Sequence, residues 1–409
     1  MKRILVLGAG FAGLWSAVGA ARQIDALGTA AKDIEVLVVN RDAWHGIRVR
    51  NYEPDLSDVR VALAGVLDPI GVAHIEAEVT GIDARARKVS IDAQGGASTL
   101  DYDRLVFALG SGMVAPALPG FAQHAFDVDT YAGAMRLNRH IDALPALPHA
   151  PGQYTALVIG SGLTGIEAAT ELVGKLHAAA ERGGAPAGAV RVILAEHADH
   201  IGSNMGEQAG KVIAEALAAQ RIATRTGVRI VSVTADGVRL EDGETIAAAT
   251  VVCCTGMRAS PLAEQLGVPL DRFGRVAIDE VLRVEGVPGV FAAGDVAAAM
   301  VDVGHASVMS CQHARPMGRF AGHNVVCDLL GHTMLPMHIA WYTTILDLGA
   351  AGACYTEGWD RHVVATGDAA KKTKRIINRE RIYPPRGGNR AQILAAAAPV
   401  IQAPPQRFA

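Results

Sequence analysis

Cysteine is scarce, five residues in 409, and two of the five, Cys253 and Cys254, are neighbours in the apolar run TVVCC. There they read as small hydrophobes of a buried strand. A disulfide-stapled secreted scaffold is excluded, and a reducing, cytoplasmic setting is expected. Charge of either sign is also sparse, 19% of residues with a formal net charge of −3. That balance gives no attraction for a phosphate backbone, so nucleic acid is not a partner. Long apolar runs are missing as well. The N-terminal MKRILVLGAGFAGL is broken by three glycines, and Met334 to Ala353 contains Pro336, His338 and Asp347, so neither a signal peptide nor a spanning helix is expected. The 14 histidines form no His-Glu-x-x-His spacing and accompany no Cys-x-x-Cys, and no metal is assigned. What the chain does have is hydrophobic residues, 50%, and 45 glycines, enough for two to three domains with large cores at about 150 residues each.

One plan occurs twice. RILVL at 3–7 is followed by GAGFAG at 8–13, the helically spaced LWSAVGAARQI, and a second apolar run, EVLVV, at 35–39. TALVI at 155–159 is followed by GSGLTG at 160–165, IEAATELVGKL, and RVILAE at 191–196. Each reads as strand, glycine turn, helix, strand. Gly8 and Gly160 make the tight turns, Gly10 and Gly162 let backbone approach a pyrophosphate, and Gly13 and Gly165 let helix pack on strand. The phosphates then sit at the helix N-terminus. The fold class that follows is α/β, with two Rossmann-like dinucleotide-binding domains and a C-terminal mixed α/β portion.

An acid closing the second strand hydrogen-bonds the adenosine ribose. Glu196 is that residue in the second unit and favours NADH over NADPH. The first unit carries Asn40 and Arg41 there, a departure from the acid. Residues 72–111 and 228–256 read as β-meanders returning to a core strand. Pro-rich segments at 116–119 and 145–151 mark domain crossings. The expected domains are 1–120 with 271–330 for one dinucleotide, 151–270 for the other, and 331–409 as a C-terminal region whose last part, 384–409, is a loosely held tail.

This order of motifs resembles the two-dinucleotide-binding-domain flavoproteins of the pyridine nucleotide-disulfide oxidoreductase superfamily over nearly the whole chain. FALGS at 107–111, with Gly110, is similar to their Ala-Thr-Gly segment, and GVFAAGDVA at 289–297 to their Gly-Asp motif. The resemblance implies FAD at the first unit, held by Gly8, Gly10, Phe11, Ala12, Gly13, Asn40, Arg41, Gly110, Asp295 and Val296. It implies NADH at the second, held by Gly160, Gly162, Leu163, Thr164, Gly165, Glu196 and Gly256. Asp295 also reads as the N-cap of a helix formed by the following AAAM. Residues 40–60 contain no Cys, so the disulfide reductases' Cys-x4-Cys chemistry is ruled out. A sulfide:quinone relay has one candidate thiol, Cys354, which reads better as a buried hydrophobe.

GSGLTGIEAATEL, TGMRASPL at 255–262 and HASVMSCQHARPMGRFAGHN at 305–324 resemble the type II NADH dehydrogenase branch, which includes NADH:quinone reductases of the apoptosis-inducing-factor kind. That branch's Ala-Gln-x-Ala-x-Gln appears here as Cys311 to Pro316, keeping Gln312 and losing the second Gln. The implied activity is a non-proton-pumping FAD-dependent NADH oxidoreductase of respiratory electron transfer, with quinone as acceptor beside Gln312, His313 and Arg315. Glu167 is the implied positioner of the nicotinamide, and reads equally as a carboxylate favoured by the first helical turn. A helix starting near Cys311 would stabilise charge on the flavin's pyrimidine edge by about 0.3–1 kcal/mol and at most ~2, roughly 6 to 20 mV and at most ~40 mV for two electrons. His313 or Arg315 would add positive charge. The cationic segment KKTKRIINRERIYPP at 371–385 reads as a solvated face or as a weak peripheral contact with the inner face of the cell membrane. Alternatives are a reductase of a ferredoxin or rubredoxin and a redox-sensing FAD- and NADH-binding interaction protein; a homodimer is left open.

Overall fold

The computed structural model describes residues 1–186, 188–202 and 205–408. A strand covered by helices on both faces needs a continuous apolar run rather than an alternating one. The opening run supplies it in β1 (Lys2–Leu7), whose Ile4 to Leu7 are fully buried. The chain continues through α1 (Phe11–Leu27), β2 (Ile34–Asn40), β3 (Ala73–Asp83), β4 (Lys88–Ala93), β5 (Gly96–Asp101) and β6 (Arg104–Phe107). A second unit follows with β7 (Ala125–Asp127), β8 (Thr155–Ile159), α2 (Leu163–Arg182), β9 (Arg191–Ala195), β10 (Ala223–Arg225) and β11 (Thr250–Cys253). It then returns as β12 (Val290–Ala292) and α3 (Cys311–Leu330). A small antiparallel sheet closes the chain with β13 (Thr343–Asp347), β14 (Ala353–Glu357) and β15 (His362–Thr366), followed by α4 (Gly367–Ile376).

The first sheet has the order β12-β6-β1-β2-β3-β4-β5. It is parallel from β12 to β3, with Leu5 opposite both Leu37 and Leu105, and turns antiparallel through the β3–β4–β5 meander. Because β12 rejoins this sheet after the second unit, the first unit is discontinuous in sequence. The second sheet, β7-β11-β8-β9-β10, is parallel throughout. Its edge strand β7 lies ahead of residue 151, so the expected start of the second unit leaves out one of its strands. At three residues, β7 carries too little pattern to be read from sequence.

Helices α1 and α3 pack backbone to backbone. A Cβ on Gly318 would stand 2.3 Å from the Ala12 carbonyl oxygen, and one on Gly322 2.2 Å from that of Ser16. This contact, possible only with glycine, brings the N-terminus of α3 over the first glycine turn.

Two expectations are corrected. The AAAM stretch after Asp295 forms short strands, Ala297–Ala298 and Met300–Asp302, not a helix, so Asp295 caps nothing. The tail is not loose. Arg390–Ala396 is a helix with an Asn389/Gln392 capping box, burying Ile393, Leu394 and Ala397 in the first unit's core. Beyond it, the Gln402 carbonyl accepts from the Trp341 indole at 3.0 Å, and Pro405 from the Tyr355 hydroxyl at 3.1 Å. Among the described residues, no helix is long and apolar enough to cross a membrane.

Candidate functional site

The two glycine turns share one geometry. Gly8 has φ +89° and Gly160 φ +97°, and a Cβ on either would stand 2.6 or 2.7 Å from a carbonyl oxygen of Ala108 or Cys254. Gly13 and Gly165 lie so close to the turn that a Cβ would come within 1.9 Å of the carbonyl oxygen of Gly8 or Gly160. Gly10 and Gly162 are the opposite case, with open space where a Cβ would be. Neither helix has a side-chain N-cap. The first N–H groups of α1 and α2 are therefore left without a capping side chain, as a helix start that takes an anion requires.

The residues closing the second strands occupy matching positions but hold the loops first. Asn40 Oδ1 accepts from the Ala9 N–H at 2.9 Å, and its amide nitrogen donates to the Asp42 carbonyl at 2.8 Å. Glu196 Oε2 accepts from both the N–H and the hydroxyl of Ser161 at 2.7 Å, and Oε1 from the His197 N–H at 2.9 Å. Burial pushes the Glu196 carboxyl up, but these bonds outweigh it and hold it below the usual carboxylate range. An amide does for the first loop what a carboxylate does for the second.

A cavity of about 560 Å³ opens on the first turn. Of the expected FAD contacts, Gly8, Gly10, Phe11, Ala12, Asn40, Arg41, Gly110 and Asp295 line it. Gly13 sits behind the turn, and the Val296 side chain is buried in the core. Leu163, Thr164 and Glu167 at the start of α2 face the same cavity, as do Gln312 and Arg315 on α3. Of the other second-unit expectations, Gly160, Gly162, Gly165 and Glu196 form the turn described above, outside this cavity. Gly256 is also outside its wall, with its carbonyl accepting from the Val114 N–H at 2.9 Å.

Asp295 accepts from the Ser111 hydroxyl at 2.6 Å. Burial pushes its carboxyl up against the pull of that bond and of Arg48. Glu167 is buried, with Oε1 accepting from Lys374 Nζ at 2.7 Å and from the Asp347 N–H at 3.0 Å. Burial raises its carboxyl, and burial alone would lower the Lys374 ammonium; the pairing outweighs this and raises Lys374, so the proton stays on the lysine. Lys371 pairs in the same way with Asp347. Two cations of the 371–385 segment are thus internal, which removes them from a solvated or lipid-facing surface.

At the start of α3 the Ser310 hydroxyl caps the helix by accepting from the His313 N–H. Pro316 lies inside the helix and has no N–H for the Gln312 carbonyl. The Gln312 side-chain oxygen accepts from Thr343 at 3.2 Å, while its Nε2 is buried without a partner among the described residues. His313 departs from expectation. Its Nδ1 accepts from the Val308 N–H at 2.9 Å, it is fully buried outside the cavity wall, and burial pushes its pKa down to about 4. It is neutral and adds no positive charge. Cys354 is also fully buried and does not line the cavity.

Residues 2–318 match the model of the pyridine nucleotide-disulphide oxidoreductase family. The chain belongs to this family. An NADH dehydrogenase-like protein of Mycobacterium tuberculosis is 55% identical over 405 residues, covering 99% of this chain and all of that protein. A type II NADH:quinone oxidoreductase of Staphylococcus saprophyticus is 27% identical over 364 residues, 85% of this chain and 88% of that protein. The solved structure of NDH2 from Plasmodium falciparum in complex with NADH superimposes with a TM-score of 0.78 at 12% identity, covering 97% of each chain, a likeness of fold. This member of the family is an NADH oxidoreductase with FAD and NADH as its cofactors.

Two residues that brace the site lie outside the family's glycine motifs. Arg48 Nε donates to Asp129 at 2.9 Å, and its guanidinium donates to the Ser111 carbonyl at 3.0 Å while standing 3.9 Å from Asp295. It ties the first unit to the segment leading into the second. His45 is fully buried and donates from Nδ1 to the Ala9 carbonyl at 2.8 Å, bracing the first glycine turn; burial pushes its pKa down to about 4. No spacing in the sequence marks either residue, because both act on groups remote along the chain.

Proposed function

We propose that the chain is an NADH:quinone oxidoreductase, with a quinone receiving electrons at the wall formed by Gln312. The observation that carries the acceptor half is the Gln312 amide: Nε2 is a buried donor without a partner among the described residues on the cavity wall. A buried polar group in that state costs about 1–3 kcal/mol, which a carbonyl acceptor would recover. The likeness to type II NADH:quinone oxidoreductases supports the same reading.

Bound FAD supplies hydride acceptance from NADH and release of two electrons. The chain's own residues do the rest. The α1 N-terminus and the open face of Gly10 receive the FAD pyrophosphate, and Asp295 accepts from a ribityl hydroxyl. The α2 N-terminus receives the NADH pyrophosphate, with Glu196 disfavouring a 2′-phosphate. Leu163 and Thr164 place the nicotinamide in the shared cavity. Glu167, fixed by Lys374 and the Asp347 N–H, forms the cavity wall one helical turn further on. The α3 N-terminus faces the cavity through Ser310, Cys311 and Gln312, where its partial positive charge favours added electron density.

The test is NADH oxidation by a short-chain quinone with the wild type and Gln312→Leu. The expected result is a loss of about tenfold or more in quinone kcat/KM, as for losing a hydrogen bond of 1–3 kcal/mol, with flavin bleaching by NADH unchanged. An unchanged quinone kcat/KM contradicts the acceptor assignment.

A further inference from the structure

Beside the large cavity is a second basin of about 410 Å³, walled by Trp15 of α1, by Arg315 and Arg319 of α3, and by the chain from Arg379 to Arg386. Its wall carries five arginines, Arg315, Arg319, Arg379, Arg381 and Arg386, against one carboxylate, Glu380. Two of these cations are answered within the protein. Arg386 pairs with Asp58 at 2.8 Å, and Arg381 donates to the carbonyls of Ala403 and Pro404. Arg315 and Arg319 are not. They are 7% and 2% exposed, and the Nε–H of each is buried with no acceptor among the described residues. Their guanidinium groups lie 5.4 and 4.5 Å from the centre of the Trp15 ring. Burial pushes both away from the charged form, helped at Arg315 by the charges of Arg319 and Arg381 and at Arg319 by that of Arg381.

A buried guanidinium without an acceptor is costly, because desolvation is not offset by pairing. Two side by side mark a place for an oxyanion, which takes paired N–H groups in a fixed fork. The glycine turns that receive the FAD pyrophosphate are not part of the basin wall. Arg315, Arg319, Arg381 and Gln402 line both spaces, so the basin adjoins the cavity that Gln312 also lines. At this volume it holds a ring bearing an acid group, while its concave wall keeps Arg319 from the plane of a bilayer surface.

We propose that the basin binds the carboxylate, sulfonate or phosphate group of a small molecule entering the cavity from the α3 side, and that the electron acceptor is an anionic one. This deepens the function proposed above and rests on electrons leaving near Gln312. Glutamine replacement of Arg319 or Arg379 removes one N–H fork from the entry path. It leaves the NADH turn and the Gln312 wall unchanged.

The experiment uses the FAD-loaded protein, with naphthoquinone and its sulfonate as paired acceptors and with wild type, Arg319→Gln and the exposed Arg379→Gln. Flavin bleaching by NADH serves as the control for folding and donor chemistry. The expected result is a fall of about tenfold in kcat/KM for the sulfonate with Arg319→Gln, expressed mainly in KM. A smaller fall is expected with Arg379→Gln, and neutral naphthoquinone stays within about twofold in both. Equilibrium dialysis of the sulfonate against oxidised protein gives a readout independent of turnover: weaker binding by the variants supports the basin even where no quinone is reduced, which would overturn the quinone reading alone. Equal losses for both quinones, or none for either, overturn the anion site. So does a loss confined to sedimentation with anionic vesicles, which would make the basin a lipid headgroup site.

Discussion

Lys371 and Lys374 of α4, and Arg315 and Arg319 of α3, are cations removed from water in opposite ways. Each lysine faces a buried carboxylate, Asp347 or Glu167, whereas the two arginines face each other and Trp15. His45 and His313 show a third solution: burial keeps them neutral, and each uses Nδ1 to hold a backbone group. The difference teaches where to look for ligands. A buried charge answered from within belongs to the scaffold, a group that gives up its charge belongs to the core, and one left unanswered belongs to a partner outside the chain.

Removing one member of an answered pair breaks this comparison most severely. Lys374→Met strands Glu167 in a buried site, and we expect a loss of about 3–5 kcal/mol in unfolding free energy, measured by urea denaturation. Adding Glu167→Gln restores much of it, because the uncompensated charge is then gone. A single variant as stable as wild type would show that the pair contributes nothing to the scaffold.

The histidines sharpen the comparison with a slightly smaller effect. Their ordinary pKa of 6.5 falls to about 4 in the fold, so the unfolded chain binds more protons than the folded one across that window. Their contribution is fully present above pH 6.5 and is lost as pH falls toward 4, by about 3 kcal/mol for each ring. Urea midpoints measured across that range should fall with acidification, and His313→Asn should make the fall shallower. A slope unchanged in His313→Asn would mean that this ring already titrates normally in the fold.

The fold was legible where physics writes itself locally. Parallel strands buried on both faces must be apolar throughout, and a turn with φ near +90° needs glycine, so β1, β8 and both turns can be read directly. Asp295, which lines the cavity, is marked in the sequence by its motif. Lys374 was not, because its partner Glu167 is 207 residues away, and a run of lysines and arginines looks the same whether it meets water, lipid or a buried acid. The last helix was missed for a related reason. Seven Ala-rich residues are too few to be helical alone, and what holds them is the burial of Ile393 and Leu394 against a core built by the other end of the chain. Arg48 and His45 follow the same rule, since their hydrogen-bond partners are set by tertiary structure.

The most direct measurement is rapid anaerobic mixing of the yellow FAD-loaded protein with NADH, followed by mixing of the reduced protein with a short-chain quinone. The account predicts fast bleaching by NADH, slower bleaching by NADPH because of Glu196, and fast return of the flavin colour with quinone. Fast bleaching followed by sluggish recovery with every quinone tried would contradict the acceptor assignment at Gln312.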